Sequence, residues 1–234
     1  MKFIQKSRQE PNCVKSWKRA NKSLTVNKDY ASMNCHGQLR KILLEEQGSI
    51  CAYTMQRIEI DICHIEHFIP QAQCQWSYQV HGLAYSDDTS YHNMLACYPG
   101  SEQSCEYGAI FKGSTQTQVS PLHQGCEKLF KFDANGRVEG ATGAASSTIN
   151  ILNLNHRALI ELRKSEISGR GVSKRSRRKK SQKQAEVLAT EVLNKDKNGA
   201  YSPFCLAVHQ VASSYAKKLS YRTQGRLRSP LERS

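Results

Sequence analysis

The sequence predicts an α+β fold, with short antiparallel strands in the middle of the chain and helices before and after them. Three observations carry that expectation. Apolar residues recur at helical spacing near Ala31 to Gln47, strict alternation replaces that spacing over Arg57 to Ile62, and helical spacing returns beyond Thr148. The 234 residues, 38% of them hydrophobic, suffice for one sizeable core with appendages.

Each element follows from local signals. In the first helix Leu39, Ile42 and Leu43 share one side, and Gly48 supplies the C-terminal stop. Arg57-Ile58-Glu59-Ile60-Asp61-Ile62 reads as a half-buried strand, with the Glu66-His67-Phe68 segment as its partner. Asn93 to Ala96 is expected to open a helical element. The polar and aromatic stretch from Gln73 to Asp88 contains Trp76, Tyr78 and Tyr85; its aromatics either pack on the core or form a substrate loop, and no site residue is assigned among them. Phe130-Lys131-Phe132 and Arg137-Val138 flank Asn135-Gly136 as a hairpin that serves as scaffold. Thr148 suits the N-cap of a helix running through Leu152, Leu159, Ile160 and Leu162. Two more helices are expected, one from Lys183 to Leu193 and one from Ser202-Pro203 onward. The organisation is then an N-terminal segment and helix (1–48), a central core with scaffold hairpin and helix (49–165), a basic linker (166–184) and a helical C-terminal region (185–234).

Composition narrows the function classes. Nine cysteines, an odd number, and an opening stretch without an apolar run argue against a secreted disulfide framework and for a cytoplasmic protein with reduced thiols. No apolar run approaches the ~20 residues that cross a bilayer, so no membrane role is expected. A net charge of +14 calls for an anionic partner, for which DNA or RNA is the natural candidate. The charge gathers at Arg170, Lys174, Arg175, Arg177, Arg178, Lys179, Lys180 and Lys183, with no acidic residue among them. Arg175, Arg177, Arg178, Lys179 and Lys180 form the centre of a candidate phosphate clamp on a mobile linker; the plainer alternative is a solvated loop.

The residues with the most specific chemistry are His64-Ile65-Glu66-His67, with Asn93 further on. Phosphodiester hydrolysis needs a base to make a nucleophile from water and a cation to neutralise charge building on the phosphate. His67 suits the base, because an imidazole titrating at about 6.5 is largely neutral at pH 7. Glu66 is a hard oxygen donor for Mg2+. In a regular strand the two would face opposite ways, so twist or a bulge must bring them to one site. Asn93 cannot titrate and is suited to holding a loop or orienting the base. The same histidine spacing also suits an ordinary half-exposed surface.

The surrounding residues resemble a known family. Cys51-Ala52-Tyr53, Ile65-Glu66-His67-Phe68-Ile69-Pro70-Gln71, Asn93-Met94-Leu95-Ala96-Cys97, Cys105-Glu106 and Lys112-Gly113 resemble the HNH (ββα-metal) endonuclease core. Outside the core, Met1-Lys2-Phe3-Ile4, Glu10-Pro11, Trp17-Lys18, Cys126-Glu127 and Ile151-Leu152-Asn153-Leu154-Asn155 are similar to the HNH nuclease subunit of the Septu anti-phage systems, also found with retrons. That likeness covers roughly the first 165 residues.

The resemblance implies a ββα-metal core with surrounding helices and a helical C-terminal tail. It implies His67 as base, Glu66 as metal ligand for Mg2+ (or Mn2+), Asn93 as the structural asparagine and Glu106 as the third metal position, with His92 and Asp88 as rivals. It also implies a structural Zn2+ at Cys51, Cys97 and Cys105. Related sequences carry Cys-x-x-Cys where this chain has Cys51-Ala52-Tyr53-Thr54, so a fourth donor would have to come from Cys63, Cys74 or a histidine. Without zinc, Cys51 and Cys97 would be small buried apolar residues. The resemblance also implies a separately encoded ABC/SMC-like ATPase partner; no Gly-x-x-x-x-Gly-Lys-Ser/Thr string occurs here, so any ATP dependence would come from another chain. The expected function is a defence effector cutting DNA or RNA, tRNA included. The alternative is a decayed nucleic-acid-binding or regulatory subunit of the same complex.

Overall fold

The computed structural model describes residues 1–21, 29–74, 87–100 and 103–228, and its architecture is mixed helix and small antiparallel sheet. Trp76, Tyr78 and Tyr85 lie outside the described residues. Helix α1 (Asn12–Ala20) precedes α2 (His36–Gln47), which buries Leu39, Leu43 and Leu44. Gly48 ends α2 in the left-handed conformation (φ 62°), where a Cβ would collide with the Tyr201 ring at 2.6 Å. The helix begins at His36 rather than Ala31. Asp29 accepts a bond from the Ser32 amide (3.0 Å) and winds Tyr30–Ser32 into a separate 3-10 turn, which breaks the register.

Strand β1 (His64–His67) pairs antiparallel with β2 (Met94–Cys97), His64 opposite Cys97 and His67 opposite Met94. Two expectations fail here. Residues 57–62 make only an Ile50–Arg57 bridge and a 3-10 turn over Ile60–Ile62, whose two isoleucines stay more than a third exposed. Asn93 to Ala96 opens no helix, because Met94, Leu95, Ala96 and Cys97 are all buried as strand residues. A strand buried on both faces reads as an unbroken apolar run, and β1 takes that run as its partner.

Gln47, at the end of α2, completes the outer side of β2. Its carbonyl accepts the Ala96 amide at 2.8 Å and its amide donates to the Ala96 carbonyl at 2.8 Å. The short helix α3 (Gly108–Lys112) follows, anchored by the Gly108 amide on the Leu152 carbonyl (2.8 Å).

Strands β3 (Phe130–Phe132) and β4 (Val138–Gly140) form the expected hairpin. Gly136 has φ 83°, and a Cβ there would sit 2.3 Å from the Ile160 carbonyl, so the turn needs glycine on both counts. Beyond it, α4 (Gly143–Ile151) and α5 (Arg157–Gly169) replace the single helix expected from Thr148. Thr142 caps α4, whereas Thr148 is buried inside it and accepts the Val119 amide (3.0 Å). Asn153, at φ 45°, separates the two helices.

Helix α6 (Gln182–Glu191) opens with a Ser181–Gln184 capping box and packs along α7 (Cys205–Arg228). One apolar cluster runs from Met1 and Ile4 through α2, β2 and Phe130 to Val211 and Ala216, so every part of the described chain contributes to the same core. No helix among the described residues is long and apolar enough to cross a membrane.

Candidate active site

β1 presents two faces. His64 and Glu66 point to one and Ile65 and His67 to the other, as successive strand residues must. A cavity of about 400 Å³ runs along the strand, lined by His64, Glu66 and His67, by Pro70, Gln71 and Ala72 of the following turn, and by Ala109, Ile110 and Lys112 of α3. Ile65 lines it too, so residues from both faces of β1 reach one cavity without a bulge.

Glu66 is gripped from several sides. The Lys112 ammonium lies 2.6 Å from Oε1 with its side chain 1% exposed, the Tyr53 hydroxyl is 3.4 Å from the same oxygen, and His64 Nε2 is 3.8 Å from Oε2. His64 donates from Nδ1 to the Pro99 carbonyl. Burial disfavours its charged form, yet the Glu66 carboxylate and that carbonyl outweigh burial and raise its pKa above 6.5.

His67 is buried, and burial is the main cause that lowers its pKa below 6.5. Its Nε2 lies 2.7 Å from the Asp88 carbonyl, which can only accept, so Nε2 carries the hydrogen and Nδ1 is the ring's acceptor in the neutral form. The Tyr30 ring packs edge-on at 4.6 Å and fixes the imidazole from the side.

Asn93 holds the turn after β1. Its Oδ1 accepts the Ile69 amide (2.7 Å), its Nδ2 donates to the Ile69 carbonyl (3.0 Å), and its own carbonyl accepts the Phe68 amide (2.9 Å). It sets the path of the turn that carries Pro70 and Gln71 along the cavity.

Glu106 is not brought to Glu66. Its carboxylate is 82% exposed and pairs with His156 Nε2 at 3.1 Å, because the residue precedes α3 and the helix turns Ala109, Ile110 and Lys112 to the cavity instead. Asp88 contributes its carbonyl to His67 and its carboxylate to the Tyr30 amide (3.1 Å). His92 is exposed and meets the Tyr91 ring edge-on at 5.2 Å. Among the described residues Glu66 is thus the single carboxylate lining this cavity.

The cysteines separate in the same way. Cys51 and Cys97 are fully buried free thiols joined by a hydrogen bond, the Thr54 hydroxyl reaches Cys51, and the Tyr98 amide donates to Cys51 Sγ (3.4 Å). Burial opposes ionisation of Cys51, but the bonds from Cys97, Thr54 and the backbone amides carry its pKa below the usual thiol value, while burial and the Cys51 bond push Cys97 well up. A Cβ on Gly108 would meet Thr54 Cγ2 at 3.4 Å. The four positions that converge are therefore Cys51, Thr54, Cys97 and Gly108, with Cys105 half-buried elsewhere. Two thiols with a threonine and a glycine do not fit a tetrahedral zinc site. Among the described residues no group of three or more His, Cys, Asp or Glu side chains is placed to hold a metal ion.

His64 and Lys112 line the cavity and Tyr53 reaches Glu66 beside it; all three stand in the motifs read from the sequence, but none was given a role there. Alternation along β1 could have found His64, two residues from Glu66. The basic residues Arg175, Arg177, Arg178 and Lys179 are exposed and Lys180 half-buried, on the loop between α5 and α6. A larger cavity of about 680 Å³ lies between the N-terminal segment and α2. Its buried Lys6 already pairs with Glu46 (2.8 Å), which Tyr91 also contacts, and burial takes the Lys6 pKa down to about 8.

Comparison with protein-family models and with curated proteins finds no match to this chain.

Proposed function

We propose that the chain hydrolyses phosphodiester bonds in nucleic acid as an HNH-type endonuclease. The observation that supports this best is a single cavity holding a neutral, oriented imidazole and a carboxylate from adjoining residues of one strand, beneath a helix that contributes a buried cation. The order β1, β2, α3, with Asn93 clamping the turn, agrees with the ββα plan implied by the resemblance.

His67 takes a proton at Nδ1 from the attacking water. Its lowered pKa keeps that nitrogen free at neutral pH. Lys112 and His64 surround the position where phosphate charge would build, and both donate hydrogen bonds. Glu66 is a hard donor of the kind Mg2+ or Mn2+ takes, and such ions are held through one or two carboxylates with substrate phosphate oxygens and water completing the shell. When bound, the ion supplies positive charge to the phosphate and acidifies a coordinated water. Arrival of a phosphate would draw the Lys112 ammonium from Glu66 and leave the carboxylate available.

A second reading has a specific observation behind it. Glu66 already has its countercharge in Lys112, as suits a nucleic-acid-binding module that no longer cleaves. The resemblance further supports a role in anti-phage defence beside a separately encoded ATPase. Nine free cysteines agree with a reducing cytoplasm.

The test is cleavage of labelled DNA and tRNA with and without the neighbouring ATPase, in Mg2+, Mn2+ or EDTA. Wild type is compared with His67→Ala and Glu66→Gln. Metal-dependent cutting lost in both variants supports the nuclease; binding without cutting under every condition selects the second reading.

A further inference from the structure

The cations between α5 and α6 sit on a closed, internally bonded loop. Gly171 and Lys180 meet through a bond from the Lys180 amide to the Gly171 carbonyl (2.9 Å). Inside the loop, the Ser176 hydroxyl donates to the Ser168 carbonyl (2.9 Å) and accepts the Ser173 amide (3.1 Å), and Val172, Ser173 and Ser176 are buried. Gly171 has φ 82°, and a Cβ there would stand 2.6 Å from the Arg178 carbonyl. The inward positions are small and satisfied, and the outward ones are Lys174, Arg175, Arg177, Arg178 and Lys179.

None of these five side chains has an ion-pair partner among the described residues. The nearby carboxylates are taken by other cations, Glu161 by Lys164 (2.8 Å) and Glu166 by Arg170 (2.7 Å). The Tyr215 hydroxyl donates to the Lys180 carbonyl (3.3 Å), so one face of α7 adjoins the loop. At 100° per residue, exposed Lys218 and Arg222 share that face, whereas Lys217 and exposed Tyr221 turn away from it.

We propose that this loop and the Tyr215 face of α7 form one preorganised surface that binds the backbone of double-stranded nucleic acid without reading sequence. Cations held in place by an ordered loop lose little side-chain and backbone freedom on meeting a regular array of phosphates. Residues 171–180 are Gly, Val, Ser, Lys and Arg only, so the loop has no aromatic on which an unpaired base would stack and no exposed apolar residue to enter a lipid surface. The surface deepens the nuclease reading by naming how substrate is held, and it is tested apart from cleavage.

The experiment measures binding of the full chain, in EDTA, to a labelled random-sequence duplex over a salt series. A single strand and anionic vesicles serve as competitors. We expect Arg177→Gln/Arg178→Gln to lower the magnitude of the log–log salt slope by about 1.8, taking ~0.9 for each lost phosphate contact. Ser176→Ala should weaken binding several-fold with the slope unchanged, since it loosens the loop and removes no charge. Wild-type affinity and slope in the double variant would overturn the proposal, as would stronger competition by the single strand or the vesicles. Wild-type affinity in Ser176→Ala would overturn the preorganisation. A Glu66→Gln chain that binds the duplex normally but does not cut it leaves this surface standing; cutting by that variant counts against the catalytic reading alone.

Discussion

In the cavity beside β1 the carboxylate of Glu66 is met by Lys112, Tyr53 and His64, whereas on the loop after α5 five cations stand without an ion-pair partner among the described residues. The two regions teach different uses of charge. A buried group must be paired to remain charged at all, so its chemistry is set by neighbours a few ångströms away. An exposed cation needs no partner within the fold, and its contribution appears when a polyanion arrives. The first kind of site tolerates little substitution, and the second degrades one charge at a time.

The contrast can be broken most severely at Glu66. Glu66→Ala leaves the Lys112 ammonium buried and unpaired, and we expect a loss of about 3–5 kcal/mol in urea denaturation, most of it recovered when Lys112→Met accompanies Glu66→Gln. A loss under ~1 kcal/mol would place the pair among exposed ion pairs and end the distinction drawn here. Asn93→Ala removes the two side-chain bonds that hold Ile69 and should cost about 1–3 kcal/mol, with faster proteolysis of the turn after β1. Tyr53→Phe removes one long bond to Glu66 and should cost about 0.5–1 kcal/mol, a loss that denaturation can resolve.

Acidification sharpens the comparison within the cavity itself. His67 has a folded pKa below 6.5, so the unfolded chain binds the proton more readily and stability falls as pH drops through and below about 6.5. His64 has a folded pKa above 6.5, so its contribution is present below that value and is lost as pH rises through the folded pKa. Between pH 7 and 5, His67→Ala should therefore lose less stability than wild type and His64→Ala more. Equal slopes in all three proteins would remove the assignment of the two imidazoles.

Local features were the legible part of the fold. Gly48 at the end of α2, the Asn135-Gly136 turn and the helix beginning near Lys183 depend on neighbours a few residues away, and each stands in the structure where the sequence pointed. β2 was not legible, because Met94 to Cys97 is apolar throughout and only its pairing with β1 makes it a strand. The helix expected from Thr148 failed because its break turns on the single backbone conformation of Asn153. At the candidate site the same division holds. Glu66 and His67 line one cavity and Asn93 holds the turn beside it, and His64 was readable by alternation. Lys112 was not, since its pairing with Glu66 depends on how α3 returns to β1, and the position expected for Glu106 shifted for the same reason.

The hydrogen bonds between Gln47 and Ala96 have a wider consequence. A two-stranded sheet has an outer edge on each strand, and an open edge invites a strand from another chain. On β2 the Gln47 amide occupies both peptide groups of Ala96, acting as a one-residue stand-in for a third strand. Replacing it with a residue that cannot both donate and accept would leave the Ala96 amide unpaired in a strand that is buried throughout. The end of α2 thus closes, with one side chain, the ladder of the strand on which the core is built.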